Sequence, residues 1–196
     1  VEIILYKEVL SAIAILLTFA GFIPYIRGIL NNTIKPHIFS WIIWGATTFV
    51  VFLAQLADKG GAGAWAIGVS ACITICIACL AYLKRADISI TLLDWFFLVG
   101  ALASIPAWYL TSDPLWAVVI LTIVDLSGFG PTIRKAYTVP RDESLLFFTI
   151  FTTRNIVVIM ALENYTVTTV LFPAAIAAAC LLLIALIIYR RRMLAI

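Results

Sequence analysis

The sequence predicts an all-α fold: a seven-transmembrane-helix bundle in a 3+1+3 arrangement, two parallel triple-helix repeats joined by one connecting span. Three observations lead there. The 196 residues are 64% hydrophobic and only 12% charged, with a mean hydropathy of +1.14. A water-soluble domain carries about twice that share of charge, so lipid is the solvent this surface is built for. The apolar residues gather into seven runs, each close to the roughly 20 residues a span needs. Two segments also nearly spell each other, Gly21-Phe22-Ile23-Pro24-Tyr25-Ile26-Arg27 and Gly128-Phe129-Gly130-Pro131-Thr132-Ile133-Arg134. Each is followed by a second Pro and a Ser, Pro36 and Ser40 in one case, Pro140 and Ser144 in the other. One structural unit used twice explains such self-similarity.

The predicted spans are 9–30, 37–57, 63–83, 92–111, 115–136, 144–162 and 168–189. The first is too long for the apolar core of a signal peptide. The links between spans are short and polar, among them Asp58-Lys59-Gly60-Gly61, Arg141-Asp142-Glu143 and Glu163-Asn164, and none leaves room for a soluble domain. Cationic residues set the orientation, since they gather on the cytoplasmic side. After spans one, three, five and seven come Arg27 and Lys35, Lys84 and Arg85, Arg134, Lys135 and Arg141, and Arg190 to Arg192. The opposite side holds only Lys7 and Lys59. The expected protein is therefore a multi-pass integral membrane protein, placed in the cell membrane with its N-terminus outside and C-terminus cytoplasmic. The basic tail reads as a topology anchor, and no nucleic-acid partner is expected.

Both Pro-containing spans run from outside to inside, so the repeats are parallel. Two three-span units can face the same way only if an extra span joins them. The chain thus divides into a first repeat at 1–86, a connecting helix at 87–113 that holds Pro106, and a second repeat at 114–196. Proline inside a helix removes one hydrogen bond and clashes with the preceding turn. Pro24 and Pro131, matched in the two repeats, are the expected hinges; Pro24 falls about 7 Å to the cytosolic side of mid-span at 1.5 Å per residue.

This layout and the paired Pro-x-Ile segments resemble the PQ-loop superfamily, which includes the SWEET sugar transporters and cystinosin-like lysosomal exporters. The usual Pro-Gln is replaced by Pro24-Tyr25 and Pro131-Thr132. The resemblance implies two triple-helix bundles around a central cavity that rock to expose it to each side in turn. It does not extend to the sugar-specific Asn residues, since span three offers only Ser70 and Thr74 and span seven is almost wholly apolar.

Two charges fall where lipid should be. Asp125 lies near the middle of span five and Arg154 near the middle of span six. Each costs about 2.5 to 3.5 kcal/mol at that depth, so both should face the bundle interior, where mutual contact is expected. Helical spacing puts Asp125, Gly128, Phe129 and Thr132 on one face, matched in span one by Thr18, Gly21, Phe22 and Tyr25. Span six carries the stripe Ser144, Phe148, Thr152 and Asn155; its counterpart in span two is Ser40, Trp44, Thr48 and Val51. The candidate substrate-binding set is Asp125, Arg154, Asn155, Thr152, Trp44, Thr48, Phe148, Tyr25 and Thr132.

Other signals point to structure. Cys72, Cys76 and Cys79 sit in an apolar span without a neighbouring His or carboxylate and read as packing residues, so no metal is expected. His37, beside Pro36, reads as a helix-start surface residue. Trp41 reads as an interface anchor, and Trp65, Trp95, Trp108 and Trp116 as an aromatic belt near span ends. There is no nucleophile with a neighbouring base and no Gly-rich phosphate loop, so neither an enzyme nor a cofactor is expected. Span seven has no Lys for a retinal Schiff base. The function expected is transport of a small polar or charged solute by alternating access through a midplane cavity, with proton coupling and homo-oligomers both compatible. The alternatives are a receptor or sensor, resembling the retrieval receptor for peptide carboxyl termini, in which Arg154 grips a ligand carboxylate without translocating it, and a helper subunit for another membrane protein.

Overall fold

A computed structural model describes residues 2–32, 38–84, 92–138 and 140–194. Lys35, Pro36, His37 and Arg85, used above for topology, repeat register and a helix start, lie outside the described residues. Within them the chain is helical, with no strand. The helices are α1 (Glu2–Leu30), α2 (Ile38–Ala57), α3 (Ala64–Leu83), α4 (Leu92–Thr111), α5 (Pro114–Ser127), α6 (Phe129–Thr138), α7 (Leu145–Ala161) and α8 (Val167–Met193). Four stretches are long and apolar enough to cross a membrane: Leu5–Leu30, Ile38–Ala57, Gly61–Leu83 and Val167–Met193. The exterior is apolar too, with Leu16, Phe96, Tyr109, Leu110 and Leu182 largely exposed. An outer surface of this kind is compatible with a membrane protein.

Local chemistry explains the helix ends. Asp113 caps α5, its Oδ1 accepting from the Leu115 N–H at 2.9 Å, with Pro114 in the first turn. Ser144 caps α7 through Phe147 N–H at 3.2 Å, and Thr166 with Thr169 forms a reciprocal capping box on α8. α2 closes in a Schellman motif: the Gly60 N–H reaches the Gln55 carbonyl at 2.7 Å and the Lys59 N–H the Leu56 carbonyl at 3.0 Å. Lys59 takes the left-handed conformation this requires, with φ of 57°.

The predicted fifth span, 115–136, is corrected to two helices. α5 stops at Ser127, Gly128 forms a turn, and α6 starts at Phe129. The physical cause is local composition: Gly128 and Gly130 lower helix propensity, and Pro131 has no N–H to continue the ladder. Pro131 therefore stands in the first turn of α6, whereas Pro24 lies well inside the unbroken α1. The two expected hinges are not structurally equivalent. At Pro24 the ring leaves the Ala20 carbonyl without its intrahelical donor.

Packing follows a simple scheme. α1 packs on α3 and α7; α5 packs on α8 and α2; α2 lies against α3, and α7 against α8. α4 rests on α5 and α2, and α6 rests on α8. One buried core runs through both halves of the chain, with Ala14, Val51 and Ile67 from the first and Val118, Val158 and Leu183 from the second. At one end of the bundle, called here the Glu163 end, the α2–α3 and α7–α8 connections touch. Gly63 makes that approach feasible, since a Cβ there would stand 2.7 Å from the Leu162 backbone nitrogen.

Candidate functional site

A cavity of about 790 Å³ lies between the helices. At the opposite end of the bundle, called here the mouth, its lining includes the exposed Ser144 and Leu146 and the half-buried Glu143, while the buried Arg154, Asn155 and Ser70, called here the floor, line it nearer the Glu163 end. Beyond the floor the space toward the Glu163 end is filled by Ala64, Ala66, Ile67, Val158, Ala161 and Leu162, all fully buried.

Eight of the predicted binding residues line this cavity: Tyr25 from α1, Trp44 and Thr48 from α2, Asp125 from α5, Thr132 from α6, and Phe148, Arg154 and Asn155 from α7. Pro24 lines it as well. Thr152 does not. It is buried, and its hydroxyl oxygen has no hydrogen-bond partner. Asn155 and Thr152 are three residues apart, and the 60° this leaves between them turns Thr152 off the cavity face.

The expected contact between the two charges is also corrected. Asp125 and Arg154 form no ion pair. The Thr47 hydroxyl donates to Asp125 Oδ1 at 3.0 Å, although the same hydroxyl also lies 3.0 Å from the Trp44 carbonyl. Arg154 turns the other way, toward α1 and α3. Its Nε donates to Thr18 Oγ1 at 3.1 Å, one terminal nitrogen to Asn155 Oδ1 at 2.9 Å, and the other to the Ala66 carbonyl at 2.7 Å. Asn155 is held in turn by donating to the Phe151 carbonyl at 2.8 Å. Both groups are thus hydrogen-bonded by neutral partners, and neither forms an ion pair among the described residues.

The walls are aromatic. Tyr25 leans on Trp41 with ring centroids 5.0 Å apart, and Trp41 meets Trp44 edge-on at 5.5 Å. Phe22 meets Phe151 edge-on at 5.2 Å, and Phe147 lies between Phe151 and Phe148. Gly128 lets α5 approach this wall, since a Cβ there would lie 3.2 Å from the Trp44 indole nitrogen.

Sequence reasoning missed Thr47 as the partner of Asp125 and the Ala66 carbonyl as a partner of Arg154. Thr47 is adjacent to a residue the repeat frame selected, and a backbone acceptor leaves no mark in a sequence. Trp41, read as an interface anchor, belongs to the cavity wall. Cys72, Cys76 and Cys79, read as packing residues, are exposed on the outer face of α3, whereas Cys180 is buried and lines the cavity. No group of three or more potential metal ligands occurs among the described residues.

The Glu163 end is tied shut by bonds between the two halves. Glu163 accepts from the Ala62 N–H at 2.9 Å and donates its own N–H to the Gly60 carbonyl at 3.1 Å. Asn164 donates to the Asp58 carbonyl at 2.9 Å, and the Thr166 hydroxyl donates to the Asp58 carboxylate. Lys7 reaches the Met160 carbonyl and the Tyr165 hydroxyl, each at 2.7 Å. At the mouth, the bonds of Lys84 to Leu30, Arg190 to Tyr137 and Arg191 to Pro140 and Glu143 each stay within one half. Comparison with protein-family profiles, with curated proteins and with solved structures finds no match.

Proposed function

We propose that this chain is a transporter of PQ-loop-like architecture, with two like-facing triple-helix halves joined by α4, moving a small polar or charged solute by alternating access. The observation that carries the reading is the cavity itself. It lies between the halves, takes its lining from both, and leads from an open mouth to a floor where buried charge awaits a partner. Intramembrane charges of this kind mark solute or ion paths far more often than they face lipid.

The packing scheme supports the 3+1+3 arrangement. Exchanging α1 with α5, α2 with α7 and α3 with α8 turns each principal contact into another: α1 on α3 becomes α5 on α8, α1 on α7 becomes α5 on α2, and α2 on α3 becomes α7 on α8. α4 has no counterpart. In this reading α5 and α6 together form the fifth crossing, and α4 and α7 supply the fourth and sixth.

The excess of cationic residues in the loops expected at the mouth end favours a cytoplasmic mouth and an outer Glu163 end. The conformation is then inward-facing, with the outer gate shut by the bonds of Asp58, Glu163 and Lys7. Purified protein in liposomes should catalyse solute counterflow, found by screening sugars, amino acids, vitamins and organic acids for thermal stabilisation and then testing the stabilisers for flux.

A receptor on the same scaffold is the second reading, favoured by the unneutralised Arg154 at the cavity floor. Binding without flux would decide for it.

A further inference from the structure

We propose that the cavity floor reads a single negative charge: Arg154 recognises the carboxylate of an organic monoanion whose flat apolar body lies along the aromatic wall. The inference rests on the transport reading of this cavity and narrows its solute class.

Arg154 is 3% exposed, yet it lines the cavity. A guanidinium has five N–H groups. Three go to Thr18, Asn155 and the Ala66 carbonyl, and the other two have no acceptor among the described residues. All three acceptors are neutral, so the cation is oriented but keeps its full charge. A buried charge without a counter-charge is costly, and a ligand that supplies one gains what the protein has left unmade. The planar guanidinium with parallel N–H groups fits a carboxylate in two-point fashion better than it fits a lone hydroxyl.

Asp125 is not the missing counter-charge, being bound to Thr47 and unpaired with Arg154. It lines the same cavity and, in its ionised form, opposes a second negative charge on the solute. Phe22, Phe147, Phe151 and Trp41 offer the body of the solute faces and edges rather than hydrogen bonds. A carboxylate head, an aromatic or otherwise flat apolar body and no second anion are what this lining selects.

The test uses four probes on the whole protein in detergent, read by thermal shift: the near-isosteric phenylacetate, 2-phenylethanol and 2-phenylethylamine, and the larger dianion phenylsuccinate. Phenylacetate should stabilise the protein, the alcohol and the amine should not, and phenylsuccinate should bind about ten-fold more weakly or worse. Arg154→Gln should abolish the phenylacetate shift, and Arg154→Lys should leave a reduced one. If Arg154→Gln does not fold, the probe series on the unaltered protein decides alone. A phenylacetate shift that is absent, or no larger than that of the alcohol or amine, overturns the proposal. Liposome flux separates the two readings. Anion-selective binding without phenylacetate flux leaves the site standing and removes transport, whereas flux of a neutral or cationic solute without phenylacetate binding does the reverse.

Discussion

Gln55 repairs the helix that Pro173 interrupts. Pro173 lies inside α8 and has no N–H to give the carbonyl of Thr169, four residues earlier. The fully buried Gln55 of α2 fills the gap, its Nε2 donating to that carbonyl at 2.8 Å. Gln55→Leu leaves the buried Thr169 carbonyl unsatisfied but also removes Gln55 Oε1, which is buried without a partner, so the cost should lie toward the low end of about 1–3 kcal/mol. Pro173→Ala restores the intrahelical donor, so the same Gln55→Leu change should cost markedly less in that background. A double-mutant cycle by thermal or denaturant unfolding in detergent measures the coupling, and strict additivity would refute it.

Asp125→Asn preserves an acceptor for the Thr47 hydroxyl and removes the charge. The fold should hold, with thermal stability equal to or above that of the parent, since an unneutralised buried carboxylate is itself unfavourable. If Asp125 carries the coupled proton, the dependence of proteoliposome uptake on pH should flatten in this variant. Uptake that keeps both its rate and its pH profile would remove Asp125 from the transport path.

Cys180 is a native reporter of the cavity. Cys72, Cys76 and Cys79 face outward, so replacing them with Ala leaves one thiol on the cavity wall. Because the Cys180 thiol is buried, a small thiosulfonate reagent supplied at the mouth should modify it only slowly, and a cavity occupant should slow the reaction several-fold further. The same reagent confined to the Glu163 side should fail. Modification from that side first would place the opening at the wrong end.

Gly63→Ala should strike the tied end selectively. The added Cβ would stand 2.7 Å from Leu162 nitrogen and 2.9 Å from Ala161 carbon, and backbone atoms cannot step aside as a flexible side chain does. A loss of about 2 kcal/mol or more is expected, comparable to overpacking elsewhere. Reagents applied from the Glu163 side should then gain access to Cys180. Unchanged unfolding and unchanged labelling would show that the halves are not held this closely.

The helical class and the apolar exterior could be read from composition alone, because lipid imposes a coarse and unmistakable constraint. Asp125, Arg154 and Asn155 stood out for the same reason, as polar groups in runs that exclude them. What could not be read was direction. Thr18, Ala66 and Asn155 share the guanidinium because three helices meet at one depth, and one of these acceptors is a main-chain oxygen. The repeat frame transferred Thr48 to Thr152, yet only Thr48 lines the cavity. The break at Gly128 did have a signal: Gly130 stands where the first copy has Ile23. Gln55 was legible only jointly with Pro173, and nothing short of the fold pairs residues from the second and the last helix.

That one-residue interruption divides into α5 and α6 what its counterpart in the first half keeps as one helix, α1. Gly128 itself keeps a right-handed helical backbone, with φ of −63° and ψ of −18°, and its N–H still bonds back to the Val124 and Asp125 carbonyls. If the halves rock as proposed, bending at Gly128 would let α6, which carries Thr132 of the cavity lining, move apart from α5.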